Sequence, residues 1–399
     1  MSAKYRFNRL ELAGSLGDLG TLLPISIAMV LVNGLSPLGV FFSIGLFYIL
    51  SGVYFGITVP VQPMKVIGAY AIATSLTADQ ILASSLLMGI FLILISLTGA
   101  IDLIRKLTPK AVIRGVQLST GALLISGGIK FIMGASKFQS MQNAVEPYLA
   151  LQALGPIPIS LFIGVLAGIC TLLLLDNKRF PAGLIVVLGG LILGLALGAR
   201  FDFSLEELGI HFPHLLPFGF PASADFTFAL FALVLPQLPM TLGNAVLAYT
   251  DLSQEYFREK SARVTNRKAC LSMALANFFS FFLGGMPMCH GAGGLAAHYR
   301  FGARTAGSNL IIGLIFTILA IFFGDNIVSA LNLLPMAVLG VLLLFAGSQL
   351  TLTIMDLDSR KDYFVATLIL GITLASNLAA GFITGMILAQ TLKWRKLSV

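Results

Sequence analysis

Apolar runs of about 20 residues, each long enough to cross the hydrocarbon core of a bilayer, recur along the whole chain. The first series falls at about 10–33, 35–57, 79–101, 109–133, 158–176 and 181–199. A polar, proline-dotted stretch from Arg200 to Asp225 follows. The second series then falls at about 226–250, 268–286, 306–323, 327–355, 362–377 and 379–394. Each series also holds one short apolar segment in third place, at 60–76 and at 287–299. The pattern therefore predicts an all-α polytopic membrane protein with 14 segments in two sets of seven. Because seven is odd, the second set enters the membrane from the opposite face, and the repeats are inverted. The predicted units are a first repeat at 1–199, a loop at 200–225 outside the membrane, and a second repeat at 226–399.

Both short segments open on proline. Val59-Pro-Val-Gln-Pro-Met-Lys65 precedes one, and Pro287-Met-Cys-His-Gly-Ala-Gly-Gly-Leu-Ala-Ala-His298 forms the other. Proline cannot continue a hydrogen-bonded helix, and Gly291, Gly293 and Gly294 let the backbone approach a ligand closely and bare its N–H groups. A half-helix starting in either stretch presents unpaired N–H groups and a partial positive charge, which attract anions. Inverted repeats with an interrupted segment in each half point to a secondary transporter with a midplane site.

Composition agrees with this class. The chain is 57% hydrophobic and 11% charged, with mean hydropathy +0.94, against about 25% charged residues in soluble domains. The longest polar stretches are loop-sized and hold no Walker-type phosphate loop, so ATP-driven pumping is not expected. The net charge of +8 reflects loop topology rather than nucleic-acid binding. Loops predicted to be cytoplasmic, such as 258–268 with its five basic residues, hold 21 of the 25 lysines and arginines. Lys130, Lys137 and Arg200 fall outside, and Lys65 lies at membrane depth. Both termini are then cytoplasmic, in a plasma-membrane protein, and the basic N-terminus is a retained end rather than a cleaved signal. Cys170, Cys270 and Cys289 show no CxxC spacing and are expected as small buried hydrophobes.

Polar groups inside a membrane are expensive, so each needs a reason. Asp18 sits about two turns into the first segment, where a carboxylate exchanges protons with a coupled substrate or locks a packing network. Glu11 lies nearer the edge and is a second proton-coupling candidate. Lys65 either supplies positive charge to an anion or pairs with Asp18. Gln62, Gln237, Thr241 and Asn244 donate hydrogen bonds without net charge, to a ligand or between helices. His290 stands at the mouth of the second half-helix as an anion ligand, a proton carrier or a cap. His298 is read as structural or gating. His211 and His214 have no metal-ligand spacing, so no metal or cofactor is expected.

Four motifs in order then resemble one family: Glu11 to Pro24, Pro60 to Lys65, Pro236 to Asn244, and Met286 to Arg304. Together they resemble the molybdate transporter family, a branch of the sulfate permease (SulP) superfamily that lacks the STAS domain. The resemblance implies a uracil-permease-like seven-plus-seven fold with core and gate domains, and an oxyanion site between the third and tenth segments. It carries over Gln62, Met64, Lys65, Gln237, Thr241, Asn244, His290, Gly291, Ala292, Gly293 and Gly294 as the lining. The expected activity is import of a tetrahedral oxyanion, molybdate first and sulfate or tungstate as alternatives, by proton-coupled alternating access. A passive channel and a nucleobase or carboxylate carrier are the other classes weighed; an enzyme is not expected. A homodimer is a fold-level expectation.

Overall fold

A computed structural model of the 399-residue chain describes residues 5–101, 107–175, 177, 181–199 and 209–393. Lys4, Arg105, Lys106, Lys178, Arg179, Arg200, Arg395 and Lys396, used above for topology, lie outside the described residues, as does the end of the chain. A helix stands at each segment position the pattern predicts. The first repeat contains α1 (Arg9–Ser15), α2 (Leu19–Asn33), α3 (Pro37–Phe55), β1 (Gln62–Pro63), α4 (Lys65–Thr74), α5 (Ala78–Thr98) and α6 (Lys110–Ile132). It continues through α7 (Lys137–Met141), a small hairpin of β2 (Ala153–Leu154) and β3 (Ile157–Pro158), α8 (Ile159–Leu174) and α9 (Ala182–Ala196). The second contains α10 (Ser223–Ser261), α11 (Asn266–Leu283), β4 (Met288–Cys289), α12 (Ala292–Phe301) and α13 (Gly307–Phe323). It ends with α14 (Ile327–Leu331), α15 (Met336–Thr351), α16 (Arg360–Ala375) and α17 (Leu378–Thr391).

Length and apolarity alone qualify six of the described helices to cross a membrane, or seven if α1 and α2, bent by 45° at their junction, form one span. Four more, α4, α8, α9 and α17, are apolar but shorter. The count of fourteen therefore rests on the sequence pattern and not on helix length.

Local chemistry sets the boundaries. Thr77 caps α5 in a reciprocal box with Gln80, and Ser36 caps α3 ahead of Pro37. Gly56 ends α3 with φ 75°, a conformation that disfavours any side chain.

Packing partners repeat between the halves under exchange. Helix α3 packs on α13 as α11 packs on α5, and α1 packs on α12 and α13 as α10 packs on α4 and α5. Likewise α16 lies on α6 as α8 lies on α15, while α6 and α15 pack on each other. Two bodies result, an inner one built around α4 and α12 and a wall built around α6 and α15. At one meeting point, Gly20 of α2 and Gly183 of α9 bring bare backbone against bare backbone.

On the side where α15 begins, buried Glu146 accepts hydrogen bonds from the N–H groups of Met336 (2.7 Å) and Ala337 (2.9 Å), capping that helix. Burial pushes its carboxyl up from 4.5 to about 7, against the lowering effect of the two donors. Folding then takes up a proton, so stability is fullest below pH 4.5 and falls as pH rises to about 7. The Glu146→Gln variant should flatten that slope in thermal unfolding scans between pH 5 and pH 8. An unchanged slope would exclude Glu146 as its source.

Candidate functional site

Strands β1 and β4 pair antiparallel, Gln62 opposite Cys289 and Pro63 opposite Met288. Met64 N–H extends the pairing to the Pro287 carbonyl at 2.9 Å. Prolines 60, 63 and 287 keep these stretches out of helix, and each is braced by an asparagine amide. Asn309 of α13 accepts from Val59 N–H (2.8 Å) and donates to Val59 C=O (2.9 Å). Asn277 of α11 does the same for Met288, at 3.2 and 2.9 Å. Extended backbone at membrane depth is thereby satisfied without water. Replacing Asn277 by leucine strands both Met288 groups. It should lower stability by about 1–3 kcal/mol, read as a reduced thermal midpoint; an unchanged midpoint would show that the clamp is dispensable.

Because the strands are antiparallel, α4 and α12 leave the crossing in opposite directions with their N-termini near its centre. Those two ends differ. Gln237 Oε1 accepts from Val66 N–H (2.9 Å) and Ile67 N–H (3.3 Å), capping α4, while its Nε2 donates to Thr241 Oγ1 (2.9 Å). Gln237 occupies a short α-helical turn between two π-helical stretches of α10, Ala229–Val234 and Thr241–Ala248, a wide-turn arrangement often found at functional sites. In α12 the first intrahelical bond runs from Leu295 N–H to Gly291 C=O, at 3.2 Å. Among the described residues, the N–H groups of Ala292, Gly293 and Gly294 donate to no protein acceptor, and no side chain caps the helix.

Asp18 stands at the break between α1 and α2, which explains a carboxyl at this depth. Its Oδ1 accepts from Gln62 Nε2 at 2.8 Å, while Asp18 Oδ2 and Gln62 Oε1 are buried with no partner. This pair presses on the first turn of α12. A Cβ at Gly294 would lie 2.5 Å from Asp18 Oδ2 and 2.7 Å from Pro60 Cβ, and one at Gly291 would overlap Gln62 Oε1. At Gly293 nothing lies within 4 Å of the same position, and this glycine faces a cavity.

The cavity, of about 530 Å³, separates α2, α4, α10 and α12 from α6, α8, α9 and α15. Thr21, Lys65, Asn244 and Gly293 line its inner end, and Arg300 and Thr353 stand on its border. Both charged residues of the described lining, Lys65 and Arg300, are basic. Among the described residues Lys65 has no carboxylate within 4.0 Å, so of the two alternatives left open by the sequence a direct ion pair with Asp18 is not made, although the two charges interact at longer range. The cavity is electropositive and carries free donors, which suits an anion.

The sequence-predicted lining is thus divided. Lys65, Asn244 and Gly293 reach the cavity. Gln62, Gln237 and Thr241 stand behind it as buried supports, and Met64 is fully buried. His290 does not line it. Its ring is fully buried, with Nδ1 donating to Pro60 C=O (2.9 Å), Nε2 paired with Ser272 Oγ (3.0 Å), and Phe47 stacked on it at 4.7 Å. His298, also buried, pairs with Thr58 Oγ1 at 2.9 Å, in keeping with a structural role. Glu11 accepts from Arg304 N–H, Thr305 N–H and Thr305 Oγ1 (2.9 Å), holding the turn between α12 and α13 away from the cavity. Sequence reasoning missed Thr21, Asn277 and Asn309; an asparagine inside an apolar helix was the available signal for the last two. Among the described residues no cluster of metal-ligating side chains occurs.

A sequence profile described as "Molybdate transporter of MFS superfamily" matches residues 10–124 and 229–350, which contain both half-helices and α10 as far as its C-terminal end. The chain belongs to the molybdate transporter family. Among the members of that family, Molybdate transporter 2 of Arabidopsis thaliana is 32% identical, over 97% of this chain and 88% of its own. The fold seen in this family member, however, is that of SulP/SLC26 proteins. The transmembrane domain of the cyanobacterium bicarbonate transporter BicA superposes with TM-score 0.66 at 15% identity, over 96% of this chain and 98% of that domain. Murine Slc26a9, an anion transporter in the inward-facing state, gives 0.66 at 16% identity, over 98% of this chain and 69% of its own. The uracil-permease-like architecture expected from sequence is therefore present.

Proposed function

We propose that this chain imports a tetrahedral oxyanion, molybdate before sulfate or tungstate, across the plasma membrane by proton-coupled alternating access. The observation that carries this reading is the uncapped N-terminus of α12 facing an electropositive cavity with no acidic side chain among its described lining. The anion sits with its oxygens toward the Gly293 N–H, the Lys65 ammonium and the neutral donors of Thr21 and Asn244. A helix N-terminus supplies roughly half a positive charge, and Lys65 supplies one more. The remaining deficit of a dianion is met by a proton.

Asp18 is the carrier of that proton. Its carboxyl touches the same helix turn that receives the anion, and its unpartnered Oδ2 makes the ionised form costly there. An anion arriving at α12 raises that cost and drives proton uptake. Import against an inside-negative potential opposes a dianion by about 2.3 kcal/mol per charge per 100 mV, so proton entry also lowers the electrical work. Arg300, on the side of the basic loops, borders the cavity, which supports reading this state as inward-facing with both termini cytoplasmic. The 1–199 and 226–399 repeats supply the two bodies, and a homodimer joined through the wall is the assembly expected.

Proteoliposomes test the reading. Uptake of labelled molybdate should accelerate when the outside is made acidic, and Asp18→Asn should transport without responding to the gradient. Indifference of the unaltered protein to imposed pH gradients would remove the coupling, and failure of molybdate, tungstate and sulfate to bind would remove the substrate class.

A further inference from the structure

A second cavity lies on the lipid-facing side of the inner body. It is a groove of about 280 Å³ between α3 and α11, away from the anion cavity. Leu50 and Tyr54 of α3 and Leu271, Leu275 and Phe279 of α11 form its rim, each between 41% and 49% exposed. Lys268 lies at one end. The floor carries hydroxyls, but each is already used: Ser51 donates to Phe47 C=O (2.6 Å), Ser43 donates to Val40 C=O (3.0 Å), and Ser272 pairs with His290. A groove whose polar groups are satisfied within the protein attracts an apolar occupant.

Its length and its charge identify that occupant. From Lys268 to Phe279 along α11 the rise is about 16 Å, close to half of a hydrocarbon core about 30 Å thick. That is the depth of one leaflet. The mouth is cationic: residues 258–268 hold five basic side chains against the single acid Glu259. Arg263 Nη1 donates to Tyr54 C=O at 3.2 Å, which fixes its guanidinium beside the groove. Among the described residues neither Arg263 nor Lys268 has a carboxylate within 4.0 Å.

We propose that this groove seats an acyl chain of an anionic phospholipid from the leaflet on the basic-loop side, with its phosphate on Lys268 and Arg263. The seat has a route to the transport machinery. Phe47, which lines it, stacks on His290, and Ser272, which also lines it, hydrogen-bonds to His290. His290 immediately precedes Gly291, the residue that opens α12. Occupancy stiffens the cage behind that half-helix.

Thermal unfolding of the purified protein in detergent, with added phosphatidylglycerol or phosphatidylcholine, tests this without requiring transport, so its failure leaves the oxyanion reading intact. Phosphatidylglycerol should raise the midpoint by about 5 °C at saturation, and phosphatidylcholine by clearly less. The double variant Arg263→Glu, Lys268→Glu should lose the difference between the lipids, and Leu275→Trp, which fills the groove, should lose both gains. Equal gains from the two lipids in the unaltered protein, or a phosphatidylglycerol gain that survives both variants, would overturn the assignment. Should a variant fail to fold, native mass spectrometry of the unaltered protein decides. Preferential retention of phosphatidylglycerol supports the site, and retention without preference or no retention overturns it.

Discussion

The Gly294→Ala variant should abolish anion uptake while the neighbouring Gly293→Ala retains a folded, anion-binding protein. The two glycines are adjacent on one helical turn, yet their surroundings are opposite. A methyl group at 294 meets Asp18 Oδ2 at 2.5 Å, Pro60 Cβ at 2.7 Å and Gln62 Nε2 at 2.9 Å, none of which can retreat within a buried, proline-braced crossing. Relief requires the Asp18–Gln62 bond to break or α12 to shift, and either change displaces the α12 N–H groups and the Asp18 carboxyl together. At 293 the added methyl enters open space at the cavity edge. Overpacking a tight site costs about 1–3 kcal/mol, so both variants should still be recovered from the membrane. Uptake in proteoliposomes then separates them; comparable transport by the two would mean that the contact between Asp18 and α12 has no part in the cycle.

Replacing Lys65 by alanine should weaken molybdate binding by roughly 10- to 100-fold, the equivalent of losing a charge-assisted interaction of about 1.5–3 kcal/mol. Lysine is a poor choice for the first residue of a helix, because its charge opposes the positive end of the dipole. Among the described residues no carboxylate lies within 4.0 Å of Lys65, so Asp18 offsets that repulsion only at longer range. A bound dianion offsets it. Calorimetric titration of molybdate into the purified variant provides the check, with the thermal midpoint as a control for folding. If affinity were unaltered, the ammonium would not reach the anion and the Gly293 side of the cavity would have to hold it alone.

The class of fold was legible because it depends on periodicity and on two prolines in matching places. The apolar runs reappear as helices, though the count of fourteen spans does not follow from them, and the short third segments and the pairing of Val59–Lys65 with Pro287–His298 reappear as elements, down to strands that meet at Gln62 and Cys289. The site was legible by region and not by role. Gln237 was marked as a neutral hydrogen-bonding group, for a ligand or between helices, and its carbonyl oxygen joins helices by capping Val66 and Ile67, because an uncapped half-helix needs an acceptor as much as a ligand needs a donor. His290 sits beside the right turn with its ring on the far side of the backbone, a direction that sequence spacing does not specify. Gly291 and Gly294 were read as baring N–H groups, whereas their first duty is to admit Gln62 and Asp18. The break between α1 and α2 left only a scatter of glycines among apolar residues, which is common in membrane helices.

The pairing of β1 with β4 restricts how access can alternate. Drawing α4 away from α12 would expose main-chain groups at membrane depth, where no water waits to receive them. In the proposed alternating-access cycle the two paired half-helices would move as one unit, carrying the proposed anion seat with them. In that proposed cycle the boundary with α6, α8, α9 and α15 is where the two bodies would slide, and at Gly20 and Gly183 it meets backbone to backbone with no side chains between.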